Sequence, residues 1–426
     1  MTRTHTRPRA ILSLAALALG GLITGGLLYA GPINPPAGPI TSTYKTLTEV
    51  EPRTAINATN TPGDADSLFK ITQRGSYYLT GNITGVVGKH GIEIVTSGVT
   101  LDLNGFDLVG IAGMGAFDGV SVTVGGLTNI TVVNGSVRNW GDEGVDLATF
   151  AAFNCRVEGV LASGNTGNGI STSNGSTVTN CLASTNTGNG ILTSVGCTVA
   201  NCSAYANTLS GISVSTGSTV SNCSASANAS NGIRTGDGST VSNCSADQNT
   251  GNGILTGSGC TVLNCLANSN TSTGIFTSDG CTVSNCSAYN NAGSGISVSF
   301  GSTVADCTAR LNTIDGIRCL NACVIRGNTC SVNGFGGDGA GIHATSADNR
   351  IEGNNCTGTD RGIDVDVSGN IIIRNTCSGN TINWFIAANN VCGPILDRTA
   401  PASAAISGNS APSSLGSTDP NANFTY

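Results

Sequence analysis

Ionisable side chains are scarce in this 426-residue chain, with only 10% charged residues. They concentrate in one stretch, where Asp315, Arg318, Asp338, His343, Asp360, Arg361, Asp364 and Asp366 follow one another. An imidazole beside a carboxylate can act as a general base, and a guanidinium can steady a developing negative charge. Two neighbouring carboxylates can hydrolyse a glycoside. Arg318, His343 and Asp364 are therefore the candidate catalytic residues, and Asp315, Asp338, Asp360, Arg361 and Asp366 are the candidate substrate-binding residues. The competing reading is a solvated outer surface, because outward strand positions are polar by default and charge pairs stabilise a sheet modestly.

Residues this far apart in sequence meet only if a repeat stacks them, and a repeat dominates the chain. Gly-Ile recurs at Gly169, Gly190, Gly211, Gly232, Gly253, Gly274, Gly295 and Gly316, always at a step of 21 residues. Val157 to Val304, Ala162 to Ala309, Asn165 to Asn333 and Cys181 to Cys307 run at the same step. The unit has three short alternating stretches separated by Gly and Asn, which reads as three strands and three turns. No apolar spacing of helical type is present. The pattern predicts a stack of coils in which each residue lies about 4.8 Å from its equivalent in the next coil. Ile, Val and Ala then form interior ladders, while Asn occupies turns, tolerates the left-handed conformation and bonds to the Asn above. The residue after each Gly-Ile points outward, so Arg318, His343 and Asp364 fall on consecutive coils as vertical neighbours.

The Gly-Ile and Asn columns between Gly169 and Asn333 resemble the right-handed parallel β-helix repeat of the pectin-lyase-like superfamily. Weaker coils extend the resemblance upstream through Gly91-Ile92-Glu93-Ile94 and downstream through Gly341-Ile342 and Gly362-Ile363. It implies an all-β, single-domain solenoid with three strands per coil, an N-terminal cap and a loose C-terminal tail. About 13 to 14 coils are expected between residues 75 and 393. The superfamily contains polysaccharide lyases, hydrolases, epimerases, adhesins and proteins of no known activity. This chain lacks the Asp-Asp and Gly-His-Gly motifs of the polygalacturonase branch, and the calcium cluster and basic catalytic set of pectate lyases. The expected function is a non-catalytic exported scaffold or glycan-binding protein. The alternative is a polysaccharide lyase or glycoside hydrolase.

Composition supports this reading. With 60 Gly, 4% aromatic residues and 11 Pro, the chain is neither helical nor collagen-like. Arg3, Arg7 and Arg9 precede an apolar run from Ile11 to Ala30, which reads as an export signal over 1–30; the run is also long enough for a retained anchor. A Pro/Gly linker at 31–43, a cap at 44–90, the solenoid at 91–393 and a tail or cap at 394–426 follow, with regular repeats at 155–333. The expected location is secreted, periplasmic or at the cell surface. The net charge of −7 disfavours nucleic acid and anionic membranes, leaving a polysaccharide or cell-surface glycan as the expected partner. No cofactor and no metal are expected. The 17 Cys occupy repeat columns shared with Ser, Thr, Ala and Val, which reads as buried filler; disulfides and metal ligation are the other readings. Asp142-Glu143-Gly-Val-Asp146 reads as a solubilising turn, and His90 stands alone before Gly91.

Overall fold

The computed structural model describes residues 51–149, 152–334, 337–397 and 418–426, and Arg53–Tyr426 form one unit. The expected signal segment, the linker, the start of the cap and residues 398–417 of the tail lie outside the described residues. Every regular element among the described residues is a β-strand, and every strand-to-strand ladder is parallel. A typical coil holds Ile191–Thr193, Thr198–Ala200 and Ser203–Tyr205. Each pairs with its equivalent in the next coil, so Ile191 stacks on Ile212, Val199 on Val220 and Ala204 on Ala225. The Gly-Ile strands make one 15-stranded sheet. The other two faces merge into a 30-stranded sheet, because Thr131–Arg138 and Arg156–Ser163 each run across both.

The interior follows from the columns. Ile170 to Ile317, Val157 to Val304 and Ala162 to Ala309 are fully buried. Each buried Ile or Val contributes about 1.5–3 kcal/mol. A polar ladder lies among them. Asn165 donates from Nδ2 to Asn186 Oδ1 at 2.9 Å, and the same bond links each residue down to Asn312 and Asn333. Each Asn Oδ1 also accepts the backbone N–H of the Asn one coil before. Amides buried in a dry core are tolerated because every one is satisfied. This ladder also explains the Gly column: a Cβ on Gly190 would lie 2.6 Å from the Gly211 carbonyl and 2.7 Å from Asn207 Nδ2.

One expectation about turns is corrected. The buried Asn column is not itself left-handed. The left-handed residues are the preceding ones, Thr185, Ala206, Ala227, Gln248, Ser269, Asn290, Leu311 and Val332, together with a separate exposed column containing Asn180, Asn201 and Asn222. The Asn ladder fixes the chain so firmly that even β-branched residues adopt a conformation that Asn or Gly would take at lower cost.

The ends also differ from expectation. The strand-turn-strand at Ser67–Ile71 and Gly75–Tyr78, expected to cap the core, joins the ladders, with Thr54–Ala55 paired before Gly75–Tyr78. The first face has 15 strands, of which 14 lie between residues 75 and 393, within the 13 to 14 coils expected there. At the other end the tail is not wholly loose. Asn423–Thr425 pairs with Thr376–Ser378 and Ile395–Asp397, because Asn423 extends a second amide ladder through Asn328, Asn354 and Asn375. All 17 cysteines are free thiols, and all but Cys392 are buried. Column thiols donate to carbonyls, as Cys223 does to Ser221 at 3.2 Å and Val199 at 3.6 Å.

Candidate functional site

Regular stacking and one lengthened coil place charged groups together near the C-terminal coils. The outward position after Gly-Ile stacks Arg318 on His343 and His343 on Asp364, as the spacing predicts. The coil that carries His343 is longer than its neighbours, and the extra residues build a wall beside this face. Thr313, Ile314, Asp315, Arg318, Gly334, Asp338 and His343 help line a pocket of about 320 Å³ there.

The structure divides the eight candidate residues into distinct positions. Arg318 is exposed at the pocket and makes no ion pair among the described residues. His343 is half-buried between acids. Its Nδ1 lies 3.3 Å from Asp315 Oδ2, and its Nε2 lies 3.1 Å from Asp366 Oδ2 and 3.9 Å from Asp364 Oδ2. Asp364 and Asp315 are wholly buried. Asp364 receives a hydrogen bond from Arg361 Nη1 at 2.5 Å, while Arg361 Nη2 reaches Asp338 at the same distance. The Arg361 guanidinium also stacks over the Phe385 ring at 4.3 Å. Asp360 accepts the Gly337 N–H at 2.8 Å, tying the pocket wall to the next coil.

Two of these placements change the expected roles. Asp315 is buried behind the imidazole and accepts the Ala340 N–H at 3.0 Å, and its other oxygen faces His343 Nδ1. Asp364 is also shielded from solvent, and its part is to hold Arg361 and face the imidazole edge. Electrostatics follow the geometry. Burial opposes the charged imidazolium, but Asp315, Asp364 and Asp366 outweigh it and raise His343 above its ordinary value. Burial raises the Asp364 carboxyl despite its bond to Arg361. The Asp364 hydrogen bond raises Arg361.

A second acidic group lies on the same sheet near the N-terminal coils, and it is not a solubilising turn. His90 does not stand alone, since its Nδ1 is 3.4 Å from Asp118 Oδ2. Asp118 Oδ1 accepts the Glu143 N–H, and Asn168 donates to Glu143 Oε1 at 2.9 Å. Asp146 is buried and accepts two backbone N–H groups. Burial first, then Asp142 and the neighbouring acids, push the Glu143 carboxyl up to about 8. The acids were visible in sequence, but their burial was not.

The family model described as "Right handed beta helix region" matches residues 193–314. This chain is a right-handed parallel β-helix. No curated protein matches it. Among solved structures, the β-helix is similar to the A-module of mannuronan C-5 epimerase AlgE4 from Azotobacter vinelandii, at 16% identity and a TM-score of 0.48, covering 75% of this chain and 91% of that one. It is also similar to the periplasmic alginate epimerase AlgG, at 12% identity and a TM-score of 0.36, covering 76% of this chain and 81% of that one. A third is the Dettilon tailspike protein, at 16% identity and a TM-score of 0.36, covering 72% of this chain and 57% of that one.

Proposed function

We propose that this β-helix is an exported surface protein that binds a polysaccharide along its 15-stranded face. The observation that carries the reading is the outward column on that face. Arg234, Leu255, Phe276, Ser297, Arg318 and His343 follow at successive coils, and the column ends at Phe385 beyond Asp364. Arg234 and Arg318 are exposed and form no ion pair among the described residues, so both guanidiniums are available to a ligand. They stand four coils apart, about 19 Å at roughly 4.8 Å per coil. Planar donors and aromatic faces spaced along a flat surface suit an extended chain of sugars better than a compact ligand. Export rests on the basic and apolar N-terminal segment, and location outside the cytoplasm follows from it.

The test is binding to arrays of neutral and uronic-acid glycans. Binding that falls at least tenfold in both Arg234→Ala and Arg318→Ala supports the reading. Binding indifferent to both substitutions removes this face from consideration.

A second reading is a polysaccharide lyase or hydrolase, favoured by one observation. Asp315 Oδ2 at 3.3 Å from Nδ1 and Asp366 Oδ2 at 3.1 Å from Nε2 hold the His343 imidazole at the pocket edge. Such an imidazole can take a proton from a substrate while Arg318 steadies the resulting charge. The assay is release of reducing ends or unsaturated products. His343→Ala should abolish turnover with the fold intact, because the side chain lies outside the core. Full activity in that variant would eliminate this site.

A further inference from the structure

We infer that the groove between the second and third strands of the regular coils binds an uncharged, equatorially linked hexose polymer. This groove lies away from the 15-stranded face, and the inference does not rest on a ligand bound there. Its cavity of about 730 Å³ runs over six coils, from Asn180 to Asn285, with one Asn in each. Five steps of roughly 4.8 Å give it a length of about 24 Å. The groove has a local cause. All six Asn residues are exposed and left-handed, with φ of 52–56°, and they turn the chain between strands such as Thr198–Ala200 and Ser203–Tyr205.

Three features select the ligand, and the first is charge. No Asp, Glu, Lys, Arg or His lines the groove. Carboxylates stand at both ends. Asn180 Nδ2 donates to Glu158 Oε1 at 3.4 Å, and the next residue of the column after Asn285 is the exposed, left-handed Asp306. An anionic chain is repelled at each end and meets no cation between them. The second feature is hydrogen bonding. Asn264 donates to Asn243 at 3.2 Å, whereas the side chains of Asn201, Asn222 and Asn285 make no hydrogen bond among the described residues. The hydroxyls of Ser203, Ser224 and Ser245 are equally free among the described residues. An amide offers both donors and an acceptor, which suits adjacent hydroxyls of a sugar ring. The thiols of the floor are already spent on carbonyls, as Cys202 donates to Ala200 at 3.3 Å and to Val178 at 3.6 Å. Leu182 and Leu266, both exposed, offer apolar surface to the C–H faces of the rings.

The third feature is the repeat. An equatorially linked pyranose advances by about the thickness of one coil, so successive rings meet equivalent Asn residues. A peptide strand advances about 3.2–3.4 Å per residue and falls out of step. It also needs a free backbone edge, and the strands flanking the groove are already paired on both sides.

The test uses the purified, reduced, full chain and three neutral hexamers: β-1,4-linked glucose, mannose and N-acetylglucosamine. Calorimetry should give one-to-one binding of at least one hexamer. Its trimer, which reaches half the groove, and a hexamer of uronic acids should each bind at least tenfold more weakly. Replacing Asn201 and Asn222 together by Gly removes two amides and keeps the fold, because Gly adopts the left-handed conformation without strain. This variant should bind at least tenfold more weakly at an unchanged melting temperature. Ser224→Arg, exposed on the groove wall, fills the path and should give the same loss. Binding of none of the three hexamers, equal binding of the uronic-acid hexamer, or binding unchanged in both variants would overturn the assignment. Binding lost in Arg234→Ala but kept in both groove variants would place the sugar on the 15-stranded face, which overturns the groove and leaves the earlier proposal standing.

Discussion

Replacing Asn228 by Ala tests whether the amide ladder, and not the hydrophobic columns alone, holds the coils in register. Asn228 Oδ1 accepts from the Asn207 backbone N–H and from Asn207 Nδ2, both at 3.0 Å. Its Nδ2 donates to the Ala204 carbonyl at 3.2 Å and to Asn249 Oδ1 at 3.0 Å. The substitution leaves two buried N–H groups of Asn207 unpaired and removes a side-chain donor from the Ala204 carbonyl. A buried unsatisfied group costs about 1–3 kcal/mol, so the total is roughly 2–6 kcal/mol. That is a large share of an ordinary stability of about 5–15 kcal/mol. Asn222→Ala is the control. Asn222 is exposed and left-handed with φ of 54°, and its side chain supports no ladder, so its loss should cost about 1 kcal/mol. Asn228→Asp should be no better than Ala, because it keeps the acceptor, loses the donor and buries a charge. Urea unfolding followed by circular dichroism gives the stabilities. Hydrogen exchange shows whether the loss is confined to neighbouring coils, as a solenoid allows. Stabilities of Asn228→Ala and Asn222→Ala that agree within about 1 kcal/mol would refute the role given to the ladder.

Ile233→Asp puts an unpaired charge into a fully buried ladder and should lower stability by more than about 4 kcal/mol, whereas Ser224→Asp on an exposed position should cost little; equal melting temperatures would contradict the assigned faces. Glu143 is held neutral by burial and by Asp142, Asp118 and Asp146, with a folded value of about 8. A raised acid binds its proton in the folded state after the unfolded chain has lost it, so stability falls as pH rises from about 4.5 to 8. Glu143→Gln should therefore raise the melting temperature at pH 8 and change it little at pH 4; the same shift at both values would count against the buried acid cluster. Cys392 should react with a thiol reagent in the native protein, and the other 16 cysteines only after denaturation; extensive reaction before unfolding would show that the thiol columns are not packed as described.

How much the sequence determined depends on whether a property repeats. The 21-residue step was sufficient to place Ile191 on Ile212, because in a stack of equal coils the step is the register, and the recurring Gly-Ile placed Arg318 beside His343 across a 25-residue coil. It also made the Cys columns legible as filler, since Ser, Thr, Ala or Val fills the same positions in other coils. The turns were harder. Which residue of the Thr185-Asn186 pair is left-handed depends on how the buried amide must point to reach the next one; local propensity favours Asn186, and the ladder overrules it. The ends were harder still, because Asn423 finds the Asn328–Asn354–Asn375 ladder from far along the chain, across a stretch with no periodicity. At the candidate site the residues were visible and their roles were not. Asp315, Asp364 and Asp366 are equivalent in sequence as acids near a histidine. Only the path of the lengthened coil decides that Asp315 is sealed behind Nδ1, that Asp364 is buried against Arg361 with one oxygen unpartnered, and that Asp366 remains in solvent. A linear pattern specifies which residues stack, while burial depends on what neighbouring turns cover, and that is a property of the closed coil.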